Sequence, residues 1–129
     1  MDHGLLDCQP ARPSEIPPAN WLEVFLWLVG RRKRFRVVND SMQPLLRPGQ
    51  EVLAARRPNP EPGEVWVLAH PRKPDLKIVK TVVGKDSFGR YEVRGLNQAC
   101  SEDSRQFGAA LADLFWGRVE SVFYSPETP

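Results

Sequence analysis

Short apolar runs separated by prolines, glycines and charged residues set the pattern of this chain. Runs at 35–38, 51–55, 64–69, 77–83, 91–95 and 116–123 have the length and β-branched or aromatic content of strands. "RPGQ", "RPNPEPG", "HPRKPD" and "KDSFG" fall between them as turns. One stretch, "WLEVFLWLVG", has a different rhythm. Asn20 followed by Glu23 resembles a capping box and Gly30 stands at a C′ position, so residues 21–29 are expected to form a short helix. Its apolar residues cover nearly every face, which suits packing on the core. Together these elements predict a mainly β protein, a curled sheet or partly open barrel with one short N-terminal helix.

Composition supports a single globular unit. At 129 residues the chain has the size of one domain, expected here as a leader over 1–19 and a folded part over 20–129. Thirteen prolines against nine glycines argue against long helices. The opening residues lack the basic start and apolar core of a secretory signal, and the apolar run at 21–29 is shorter than the roughly 20 residues a spanning helix needs. Two cysteines, Cys8 and Cys100, make no disulfide framework, so a cytoplasmic location is expected. The formal charge is only +2, yet Arg31, Arg32, Lys33, Arg34 and Arg36 crowd into six positions. That run has three readings: a solvated helix end, a basic collar giving 21–36 peripheral contact with a membrane, or a patch for nucleic acid.

In "LKIVKTVVG" strand alternation sets Leu76, Ile78, Lys80 and Val82 on one face and Lys77, Val79, Thr81 and Val83 on the other. Lys80 is the polar exception on its face. Burial there would disfavour the ammonium and leave an amine able to act as a general base. The alternative is an edge strand from which Lys80 reaches water along its apolar stem. Ser41, in "NDSMQPLLRPGQ", follows the first strand and is either a turn serine or the hydroxyl that such an amine activates.

The order of "SMQPLLRPGQEVLA", "GEVWVLAHP", "IVKTVVG", "GLNQACSEDSRQFG" and "WGRV" resembles the signal peptidase I family of Ser/Lys proteases. The resemblance runs from about residue 35 to residue 122. It implies the mostly β catalytic domain shared with self-cleaving repressors, Ser41 as nucleophile and Lys80 as general base. It further implies Ser101 as the hydroxyl that orients the lysine, and Asp103 with Arg105 as a supporting ion pair. The oxyanion hole would be the Ser41 backbone N–H, with Asn39 as a second donor through its side chain. The sequence departs from the family at Lys80-Thr81, Gly49-Gln50 and Gly95-Leu96-Asn97, where Lys-Arg, Gly-Asp and Gly-Asp-Asn are usual.

Neither the Ala-Gly nor the Cys-Gly bond cut by the repressors occurs here, and 40 residues ahead of Ser41 are few for a DNA-binding portion, so cleavage is expected on another chain. The opening stretch resembles the bacterial maturation proteases of nickel-type superoxide dismutase. This implies a protein precursor as partner, the dismutase propeptide, with no cofactor or metal of the protease's own and no nucleic acid. The alternative is a noncatalytic module using the 31–36 run on anionic membrane or nucleic acid. A Ser-His-Asp site has only His3 and His70 to draw on, the second expected in a turn, and no ligand spacing suggests a metal.

Overall fold

Six strands hydrogen-bond into one antiparallel sheet in the order Lys33–Arg36, Glu51–Ala55, Phe115–Tyr124, Val65–His70, Lys73–Lys85 and Tyr91–Arg94, open at its first and last strands and therefore not closed into a barrel. The computed structural model describes residues 16–37, 42, 45–96 and 104–124. Along the chain come α1 (Trp21–Leu28), β1 (Lys33–Arg36), β2 (Glu51–Ala55), β3 (Val65–His70), β4 (Lys73–Lys85), β5 (Tyr91–Arg94), α2 (Ser104–Phe107), a 3₁₀ turn (Ala112–Leu114) and β6 (Phe115–Tyr124). The molecule is mainly β, as the spacing of its apolar runs predicts.

Both faces of the sheet carry apolar clusters. Trp66 and Leu68 of β3 join Ile78, Val82, Val93, Phe107 and Phe115 on one face. Their neighbours Val65 and Val67 join Val37, Met42, Leu46, Val52 and Val119 on the other. Alternation along a strand that is buried on both sides therefore separates two cores rather than core from solvent. Register breaks in the β2–β6, β3–β6 and β4–β5 pairs bend the sheet. At Gly117 β6 lies so close to β2 that a Cβ would stand 2.9 Å from the Ala55 carbonyl oxygen.

Three local expectations change. "HPRKPD" is not a loop, because β3 continues through His70 and β4 begins at Lys73, compressing the connection to Pro71 and Arg72. His70 is accordingly buried, its ring centroid 4.8 Å from that of Phe107 and its Nδ1 accepting the Arg72 N–H at 3.0 Å. Leu76, expected on the buried face, is 42% exposed, since β4 extends there beyond the part covered by the core.

The capping box at α1 is one-sided. Asn20 Oδ1 accepts the Glu23 N–H at 3.0 Å, while the Glu23 carboxylate turns inward to accept Arg32 at 3.0 Å and the Ser121 hydroxyl at 2.9 Å. Gly30, with φ of 85°, then reverses the chain into β1. Residues 17–19, at the end of the expected leader, are bound to β6 through Val122. The helix is thus tied down at both ends, but none of its residues is buried, contrary to its expected packing on the core. Replacing Glu23 by Ala would leave the nearly buried Arg32 guanidinium without its carboxylate, at a cost of about 2–3 kcal/mol. Urea unfolding of E23A beside the parent checks this.

Candidate active site

Lys80 lies in β4 directly across from Trp66 of β3 and is 3% exposed. Ile78 and Val82, two residues to either side, are buried on the same face. Lys77, on the other face, is exposed. The lysine expected to be buried is buried, and the edge-strand alternative, in which it reaches water, is removed by its 3% exposure.

Two features of the sheet make this position special. The β4–β5 pairing runs from Lys85↔Tyr91 to Thr81↔Arg94, so it ends at Thr81, the residue next to Lys80. Lys80 thus sits at a junction where β4 keeps β3 as its paired strand. Segments arrive at this junction on both faces. On one, the Thr81 hydroxyl donates to Met42 Sδ at 3.9 Å, in a contact where both residues are buried. On the other, Ser104 at the start of α2 accepts the Val93 N–H at 3.2 Å and donates to the Val93 carbonyl at 3.1 Å, and Val93 pairs with Val82. Phe107, one turn on, completes the cluster that contains Ile78 and Val82.

Chain neighbours of two expected site residues are thus placed on these strands, Met42 against β4 and Ser104 against β5. Met42 follows Ser41, and Ser104 follows Ser101 by three positions. Ser41, Asn39, Ser101 and Asp103 themselves lie outside the described residues, and Arg105 belongs to α2 with its side chain outside them. Sequence reasoning missed Ser104, although a serine opening a short helical turn beside a strand is a common source of backbone hydrogen bonds. It also missed Met42 as a core residue, whose apolar side chain in a polar loop was the available signal.

Across the sheet from Lys80, beyond Trp66, the row continues to Arg118 of β6. Arg118 bonds Glu120 at 2.8 Å and Glu64 at 2.9 Å; Glu120 also accepts Arg57 at 3.1 Å, and Glu64 accepts the Trp66 indole N–H at 2.9 Å. Burial pushes Glu64 and Glu120 up, but hydrogen bonds outweigh it, from Trp66 and Arg118 at Glu64 and from Arg118 and Arg57 at Glu120. Both carboxyls are held below their ordinary range. The bond to Glu120 chiefly raises Arg118 in turn. The cationic end of the row is thus compensated locally, and the Trp66 ring on the lysine's flank is fixed by its indole bond.

Among the described residues no cluster of histidine, cysteine and carboxylate is fit to hold a metal, and no helix is long and apolar enough to cross a membrane. No family model, curated protein or solved structure matches the chain.

The charged row has a pH signature. Because the folded values of Glu64 and Glu120 lie below the ordinary 4.5, their contribution is complete above that pH and is lost as pH falls through the lowered values. Arg118→Gln should cost about 1–2 kcal/mol at neutral pH, discounted for partial exposure, and distinctly less near pH ~3. Urea midpoints of the variant and parent at the two pH values measure the difference.

Proposed function

We propose that this protein is a serine endopeptidase in which Ser41 is the nucleophile and Lys80 the general base. The fold would then be the catalytic domain of the signal peptidase and self-cleaving repressor type. The observation that carries the reading is the 3% exposure of Lys80 on an otherwise apolar face of β4, between the buried Ile78 and Val82. An ammonium is costly to bury, so this surrounding favours the neutral amine, the form a general base requires. Structural lysines are seldom placed so.

In the reaction, the Lys80 amine takes the hydroxyl proton as Ser41 Oγ attacks the scissile carbonyl carbon. The backbone N–H of Ser41, with the Asn39 amide, meets the charge that develops on the carbonyl oxygen. The ammonium of Lys80 then protonates the departing amine as the C–N bond breaks. Water, deprotonated by the same amine, hydrolyses the acyl ester and restores the serine. Ser101 would aim the lysine, as the docking of α2 on β5 beside β4 favours, and Asp103 with Arg105 would brace that segment. The substrate is a protein precursor that loses an N-terminal extension. On the resemblance of the opening stretch it is the propeptide of nickel-type superoxide dismutase, whose nickel belongs to the product and not to this enzyme.

Incubation with that precursor should release a new amino terminus, read by mass spectrometry. Ser41→Ala and Lys80→Met should each lower the rate by at least ~10³-fold with the fold retained, whereas Lys77→Ala should change it less than about threefold. Cleavage should rise with pH to a plateau, because the base works only when unprotonated. Full activity in Lys80→Met, or a rate that stays flat into acid, would dispose of the amine base.

A further inference from the structure

Helix α1 is built inside out. At about 100° per residue, Trp21, Leu22, Phe25, Leu28 and Val29 fall within an arc of roughly 120°. These five are the exposed ones, from 89% at Trp21 to 53% at Val29. The single charged residue of the helix, Glu23, points the other way, into its bonds with Arg32 and Ser121. An ordinary surface helix has the reverse arrangement.

The orientation is enforced from the protein side. Besides the Glu23 bonds, Trp27 packs on Phe123 with ring centroids 4.8 Å apart, and the Arg34 guanidinium lies 5.3 Å from the Trp27 ring and 5.2 Å from that of Phe123. Ahead of the helix, Val122 binds residues 17 and 19. Rolling the apolar stripe inward would break the Glu23–Arg32 pair and bring a carboxylate out through an apolar seam. The stripe therefore stays outward.

Charge identifies what covers it. The five cations of residues 31–36 are offset within this corner by two carboxylates, Glu23 with Arg32 and Glu51 with Arg34 and Arg36, so five minus two leaves a net three positive charges beside the stripe. Arg31, Lys33 and Arg36 are exposed. Five apolar side chains on about 12 Å of helix fall well short of the roughly 20–30 residues per side of a standard protein interface. They do match what an interfacial helix inserts below the headgroups, with cations at headgroup level.

We propose that α1 and the basic run after it hold this protein peripherally on an anionic bilayer surface, Trp21, Leu22, Phe25, Leu28 and Val29 entering the headgroup–acyl boundary while Arg31, Lys33 and Arg36 meet lipid phosphate. The dismutase reading is not needed for this, and the two fail separately.

The test is sedimentation of the full chain with vesicles of phosphatidylcholine containing an equal share of phosphatidylglycerol, beside vesicles of phosphatidylcholine alone. Binding is expected to the anionic vesicles, weakened on the order of a hundredfold in the double variant Trp21→Ser/Phe25→Ser and about 25-fold in Arg31→Gln/Lys33→Gln. Circular dichroism checks that each variant keeps its fold, and Ser41→Ala should bind like the parent whatever its activity. Failure to bind, equal binding to both vesicles, or equal binding by the serine double variant would overturn the proposal. So would a concentration-dependent dimer in lipid-free sedimentation that the serine changes abolish, since the stripe would then cover a second copy.

Discussion

A sheet covered by apolar side chains on both faces leaves the middle of β4 no side for water, and much of this molecule follows from that constraint. Thr81 and Val82 are neighbours in β4, face opposite ways and are both buried. In such a strand a charged side chain has nowhere to go unless another segment meets it. Lys80 stands where β5 has just left β4, with Met42 meeting Thr81 on one face and Ser104 bonded to Val93 on the other. The junction is thus a consequence of strand length: β4 has thirteen residues and β5 four, so most of β4 outruns its partner.

The same constraint explains what the sequence could and could not convey. Strand positions were legible because prolines and glycines bracket them. The apolar setting of Lys80 was legible because Ile78 and Val82 flank it at the strand period. The sequence could not convey that Leu76 projects past the core while Ile78 does not, since both look alike in a pattern and only the extent of the covering cluster separates them. Pro74 concealed the length of β4, because a proline normally argues against a strand; here it sits near the outlying start, where a missing N–H is tolerated. The proline after His70 suggests a turn, and the ring of Phe107, 37 positions on, draws the imidazole inside instead. The immediate partners of the lysine, by contrast, rest on the resemblance of the serine-containing segments to a protease family.

Helix α1 shows how a long-range contact can reverse a local rule. Its ends obey the sequence, with Asn20 capping and Gly30 turning. Its facing does not, because Glu23 has a hydroxyl partner 98 residues away in Ser121 and a guanidinium in Arg32. Each large apolar side chain left in water forgoes about 1.5–3 kcal/mol of burial. Five such side chains could not be held outward by propensity alone, whereas a nearly buried ion pair and a stacked Trp27–Arg34–Phe123 group resist the roll. Much of the basic run has the same origin. Arg32 and Arg34 are structural members of the helix seat, and Arg31, Lys33 and Arg36 remain as its outward charge.

Position in the sheet keeps these two regions apart. The helix seat is built on β1 and β6, whereas the lysine lies on β4, with β3 between β6 and β4. At about 4.8 Å per strand that is ~10 Å, filled by Trp66 and the self-compensated group of Glu64, Arg118 and Glu120. Arg118 stands across Trp66 from the lysine in the same row of the sheet. With Glu64 and Glu120 both holding Arg118, its charge is largely cancelled within the row. Changes in the charged row should therefore reach Lys80 chiefly by shifting Trp66, the ring that separates them.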